Sequence, residues 1–183
     1  MTKTSAPLYI LRLALTLLVI TALVAAALAG VNAITKDRIA AIQAEKTQKA
    51  LTQVLPGAAD VKPLELTGNT GIVQAVYASE AGYAVEVAPK GFDGEITMMV
   101  GIAGGKVTAI SIISHTETAG LGAVAAGENS AGVAFRGQFA GQSGTLAVDK
   151  DGGTIDALTG ATITSRAVVE GVNAALAYVQ NLG

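Results

Sequence analysis

The sequence predicts an α+β domain tethered by a single membrane helix. Three observations carry that prediction. A charge-free apolar run extends from Leu13 to Thr35, four stretches between 71 and 114 alternate apolar and polar residues, and a helical apolar pattern closes the chain at about 165–179. Alternation with period two marks strands and a period near 3.6 marks a helix. Strands followed by a covering helix belong to the α+β class.

The first element is LALTLLVITALVAAALAGVNAIT, bounded by Arg12 on one side and by Lys36, Asp37 and Arg38 on the other. It is long enough to cross a hydrocarbon core of roughly 30 Å as a helix. The rival reading is a secretory signal peptide, with Lys3 and Arg12 as its basic end and Ala27-Leu28-Ala29 as a cleavage site. The apolar run exceeds a typical signal core of roughly 7–15 residues, which favours the anchor. Lys and Arg are balanced across the two flanks or slightly favour the far side, so the positive-inside rule leaves orientation open, and the short basic tail favours an inside N-terminus.

Residues 36–59 follow as a juxtamembrane helix or connector. Ile39, Ile42, Leu51, Val54 and Leu55 sit at helical spacings, and Pro56-Gly57 ends the pattern. This divides the chain into a tail and membrane helix (1–35), a connector (36–59) and a domain (60–183). In that domain 71–79 and 82–89 alternate, and 95–102 and 106–114 flank the hairpin signal Ala103-Gly104-Gly105. Four strands in succession give an antiparallel sheet, to which 144–149 adds a fifth. The Gly- and Ala-rich stretch 115–142 reads as a loop with short helical turns. Val168, Val169, Val172, Leu176 and Val179 give the last helix a face to cover the sheet.

Composition excludes several chemistries. The chain has no cysteine and one histidine, which removes disulfides, thiol catalysis, iron–sulfur ligation and the usual Cys/His zinc sites. A net charge of −2, without basic stretches interleaved with aromatics, argues against nucleic acid. Redox chemistry therefore needs a borrowed cofactor.

Two stretches carry chemistry. DALTGATITSR (156–166) gathers three threonines and a serine before a helix. The free N–H groups and positive end of a helix welcome an anion. Gly160 permits close backbone approach, and Thr159, Thr162, Thr164 and Ser165 can donate hydrogen bonds. The simplest reading is an N-cap at Thr164 or Ser165; the alternatives are a phosphate site, though not a P-loop, or a modification site. SHTETAGLG (114–122) follows a strand and pairs His115 with Glu117, as a surface contact or an acid–base pair.

Together these stretches resemble a known family. Asp156-Ala157-Leu158-Thr159-Gly160-Ala161-Thr162 matches the D-x-x-[ST]-G-A-T pattern of FMN-binding domains modified by ApbE-type flavin transferases. His115 to Gly122 resembles their H-x-E-T-P-G-L-G segment, with Ala119 where proline is frequent. Residues 50–58 and 91–102 are also similar to that family. The resemblance extends to the G subunits of Rnf electron-transport complexes and, as an alternative, to the C subunits of sodium-translocating NADH:quinone reductases.

The resemblance implies that Thr162 carries FMN through a phosphoester. It implies that Asp156, Thr159, Gly160 and Ala161 are read by the transferase. Glu117, Thr118, Leu121 and Gly122, with Thr159, Gly160, Ala161 and Thr164, would line the flavin, and His115 would shape the loop. It further implies an electron-carrying subunit with no turnover of its own and no catalytic or metal-ligating residues. That subunit would sit among integral membrane, iron–sulfur and flavin subunits of an ion-translocating ferredoxin:NAD oxidoreductase. It would lie in the cytoplasmic membrane, in contact with lipid, with its domain on the outer side. A membrane-tethered binding module is the competing class.

Overall fold

The computed structural model describes residues 6–68 and 70–182. It divides into two compact units, one up to Glu45 and one from Lys46 onward. Helix α1 spans Ala6–Val54. In the first unit its large apolar side chains are bare, with Leu23 67% and Ile34 81% exposed. Side chains of that size gain roughly 1.5–3 kcal/mol each on leaving water, and a bilayer is the environment that takes a helix apolar all round. Among the described residues this is one helix long and apolar enough to cross a membrane.

In the second unit, strands β1 (Lys62–Leu64), β2 (Val73–Ser79), β3 (Gly82–Val87), β4 (Thr97–Ala103) and β5 (Lys106–Ser114) form an antiparallel meander in chain order. The β4–β5 hairpin turns on Gly104 and Gly105, with φ of 57° and 73°. Those values are the two positive-φ positions of a type I′ turn, which explains the Gly-Gly pair.

Both faces of the sheet are covered. On one, Val76, Val85, Val87, Met98, Val100 and Ile102 join Val168, Val169, Val172 and Leu176 of helix α3 (Thr162–Gln180) in the main core. On the other, Ala50, Leu51, Val54 and Leu55 pack on Ala84 and Met99. Strand β4 is therefore buried on both sides, and its apolar run lacks the alternation of a one-sided strand. Helix α1 ends so close to the sheet that Gly101 is required. A Cβ there would collide with the Val54 carbonyl and the Thr108 hydroxyl, which hydrogen-bond to each other. Ser111 Oγ donates to Gln53 Oε1 at 2.6 Å beside it.

Two details depart from the sequence reading, and a third bears it out. The fifth strand is β1, an exposed three-residue edge, and not 144–149. Leu146 instead exchanges both backbone hydrogen bonds with the Asn173 amide on α3, at 2.8 and 2.9 Å. Residues Asp149–Asp151 then turn as a 3₁₀ helix. The stretch 115–142 is, as read, a loop with short helical turns: a 3₁₀ turn at Gly122–Ala126 and helix α2 (Ser130–Gly137), the latter capped by Asn129 Oδ1 on the Gly132 N–H. Finally, α3 starts at Thr162 with Ala161 as its cap residue, so Thr164 and Ser165 lie inside the first turn and are not the N-cap.

A candidate flavin cleft at the start of helix α3

The run 156–161 is a loop held rigid by side chains from elsewhere. Gln138 bonds both the N–H and the carbonyl of Asp156, at 2.7 and 3.2 Å. Asp149 Oδ1 accepts the Ala157 N–H at 3.0 Å, and Ser165 Oγ accepts the Leu158 N–H at 3.0 Å. The bond from Ala157 holds the Asp149 carboxyl below its ordinary range, with help from Lys150. Arg166 pairs with Asp151 through two bonds at 2.6 and 2.7 Å and depresses that carboxyl in turn. Gly160, at φ 73°, turns the chain into α3 where a side chain would also crowd Leu121.

The 115–122 loop forms the opposite wall. Glu117 is buried, at 7% exposure. Its Oε1 accepts the N–H groups of Phe92 and Asp93 at 2.9 and 3.1 Å, and its Oε2 accepts the Thr164 hydroxyl. Thr116 Oγ1 donates to the Asp93 carbonyl at 2.9 Å. Gly120, at φ 77°, turns the loop.

Between these walls lies a cleft of about 320 Å³. Phe92 lines one side, Glu117, Thr118, Leu121 and Gly122 a second, and Gly160 through Thr164 the third. Its rim is apolar: Phe92, Leu121 and Ile163 are 65%, 45% and 49% exposed. Small-ligand sites run from roughly 300 to 1,000 Å³, with apolar walls and a few polar groups. The first amides of α3, with no partner inside the helix, supply the positive end of such a site. The Glu117 carboxylate is occupied by protein donors. A planar apolar ring system bearing a phosphate fits this donor set.

The structure brings together Glu117, Thr118, Leu121, Gly122, Gly160, Ala161, Thr162 and Thr164. Thr159 and Asp156 lie instead along a neighbouring groove of about 500 Å³, which also contains Leu121, Phe135 and Gln138. His115 is outside the cleft, and its Nδ1 is buried without a hydrogen-bond partner among the described residues. Sequence reasoning missed Phe92 and Ile163 as lining residues. An aromatic between two glycines, in Gly91-Phe92-Asp93-Gly94, was the available signal for the first. Ile163 had none, because an isoleucine at the start of α3 reads as part of its buried face, yet it is 49% exposed. Gln138 was equally silent.

The family model of the FMN-binding domain matches residues 91–177, and that of the RnfG N-terminal region matches residues 1–54. The fold and cleft thus define an FMN-binding domain carried on a candidate membrane span. The G subunit of the ion-translocating oxidoreductase complex of Methanosarcina acetivorans is 33% identical over 182 residues, covering 93% of this chain and 94% of that one. The G subunit of the Na(+)-translocating ferredoxin:NAD(+) oxidoreductase complex of Acetobacterium woodii is 34% identical over 198 residues, covering 94% and 93%. Its counterpart in the ion-translocating oxidoreductase complex of Pseudomonas aeruginosa is 38% identical over 167 residues, covering 81% and 78%. The chain belongs to the RnfG family, the G subunits of ion-translocating oxidoreductase complexes.

Proposed function

We propose that this protein is a membrane-anchored electron carrier of an ion-translocating ferredoxin:NAD oxidoreductase, with FMN held covalently at Thr162. When bound, FMN supplies reversible electron transfer. The chain's own residues supply position: Phe92, Leu121 and Ile163 form apolar walls, and the first turn of α3 would hold the phosphate. Its partners are the other integral membrane, iron–sulfur and flavin subunits of the complex, and membrane lipid surrounds 13–35. The domain faces the outer side of the cytoplasmic membrane.

The observation that carries the covalent reading is the place of Thr162. It is the first residue of α3, half-buried on the cleft wall, within the D-x-x-T-G-A-T run. A threonine hydroxyl needs a base before it attacks. The carboxylate nearest in role, Glu117, accepts from Thr164. An external flavin transferase must therefore supply the base. In the attachment step the Thr162 Oγ1–H bond gives way to an O–P bond, the diphosphate of FAD is cleaved, AMP leaves and the transferase takes the proton. Asp156 and Thr159, both exposed, are what it reads.

The test is Thr162→Ala in the full chain, co-expressed with the transferase. In-gel flavin fluorescence after denaturation should vanish, and intact mass should lack one FMN less one water. Thr159→Ala should lower the labelled fraction without moving the site. A fluorescent Thr162→Ala band would place the attachment elsewhere.

A further inference from the structure

We propose that Glu117 is a positioning residue that clasps the two walls of the cleft at a fixed separation and makes no bond to the flavin. The inference rests on the FMN reading above. Three remote segments meet at this one carboxylate: the turn at Phe92 and Asp93, the 115–122 loop itself, and α3 through Thr164. The partners lie 24, 25 and 47 residues away in sequence.

The surroundings are shaped for that group. A Cβ at Gly91 would fall on Oε1, and a Cβ at Gly122 on Oε2 and the Thr164 hydroxyl. Both glycines thus clear space for the carboxylate. Among the described residues no Lys or Arg forms an ion pair with it. Neutral donors hold it instead, near the positive end of α3. Three of its roughly four acceptor sites are used, and little of the residue is exposed. It has little left to offer a ligand. Its removal would strand the buried Thr164 hydroxyl and the two part-buried amides of Phe92 and Asp93, at a cost that is largest for the buried group.

Two variants of the full chain separate clasp from ligand. Glu117→Gln keeps an acceptor oxygen for the Phe92 and Asp93 amides and turns an NH₂ toward the Thr164 oxygen, while removing the charge. Glu117→Ala removes every bond. Amide hydrogen exchange at Phe92 and Asp93 in the unloaded chain reads the clasp without any flavin. Attachment rate and visible circular dichroism with the transferase, FAD and magnesium read its effect on the site.

We expect Glu117→Gln to match the parent within about twofold in exchange and attachment, with the same dichroism. Glu117→Ala should speed exchange and slow attachment by about tenfold each, as expected when hydrogen-bonded donors lose their acceptor. If Glu117→Ala does not fold, Thr164→Val takes its place: it should weaken flavin dichroism where Glu117→Gln does not. Loss of flavin dichroism in Glu117→Gln, with exchange unchanged, would overturn the clasp and make the charge a flavin ligand. Unchanged exchange in Glu117→Ala would also overturn it. Failure of the covalent reading shows separately, as a parent chain without attached flavin whose exchange pattern still responds to Glu117.

Discussion

Gln138 grips Asp156 from both sides, its amide oxygen accepting the Asp156 N–H at 2.7 Å and its amide nitrogen donating to the Asp156 carbonyl at 3.2 Å. The pair mimics one rung of a β-ladder and ties the end of α2 to the loop that leads into Thr162. Loop order is thereby set by a residue 18 positions away.

Gln138→Ala should slow flavin attachment without moving it. Two neutral, solvent-edge bonds contribute about 0.5–1.5 kcal/mol each, so the initial rate should fall several-fold. Stability should drop by about 1–3 kcal/mol. A time course of intact mass with the transferase checks it. An unchanged rate would mean that the transferase reshapes the loop itself.

The last turns of α1 belong to the domain's stability. A chain starting at Lys46 keeps Ala50, Leu51, Val54 and Leu55 on the sheet; one starting at Asp60 leaves Ala84 and Met99 uncovered. Burying each Leu or Val contributes roughly 1.5–3 kcal/mol, an upper bound set by the extended reference chain. Urea unfolding of both should show a much lower midpoint, or no cooperative transition, for the shorter chain. Equal midpoints would show that α1 contributes nothing to the sheet.

Glu86 gives a pH signature. Its carboxyl, half-buried on β3, is pushed above the ordinary range by burial. The native state therefore holds that proton to higher pH than the unfolded chain does. Its stabilising effect is complete below the unfolded pKa and is lost as pH rises through the native one. Glu86→Gln should be more stable than the parent at neutral pH, the gap closing below the usual carboxylate range. Asp149 and Asp151 shift in the opposite sense but are common to both chains and cancel. A gap that persists unchanged at low pH would assign the gain to packing.

The proposed orientation predicts that protease added to intact spheroplasts digests the domain and leaves a small membrane-held fragment containing 13–35. Protection until lysis would reverse it. Release of a soluble chain beginning at Gly30, without protease, would make the segment a signal peptide.

Much of the architecture was legible along the chain because it depends on local pattern. The apolar run 13–35, the β4–β5 turn at Gly104-Gly105 and the apolar face of α3 each encode their environment in consecutive residues. The D-x-x-T-G-A-T run signalled a helix start, though α3 begins at Thr162 and not three residues later. Strand β1 was invisible because three exposed residues acquire strand character only by pairing with β2. The 144–149 stretch alternates like a strand, but Asn173 takes its backbone bonds.

By itself the sequence determined which segments leave water, which turn, and which loop carries the D-x-x-T-G-A-T run. Those follow from transfer free energies, side-chain periodicity and backbone sterics, all local quantities. Only the tertiary structure decided which polar groups complete one another. Glu117 stands two residues from His115 in the chain, yet its carboxylate answers to Phe92, Asp93 and Thr164. Gln138 looks like any helix-end glutamine until Asp156 is brought beside it. A buried hydrogen-bonding group must find a partner, and chain closure over tens of residues, which no local pattern records, chooses that partner.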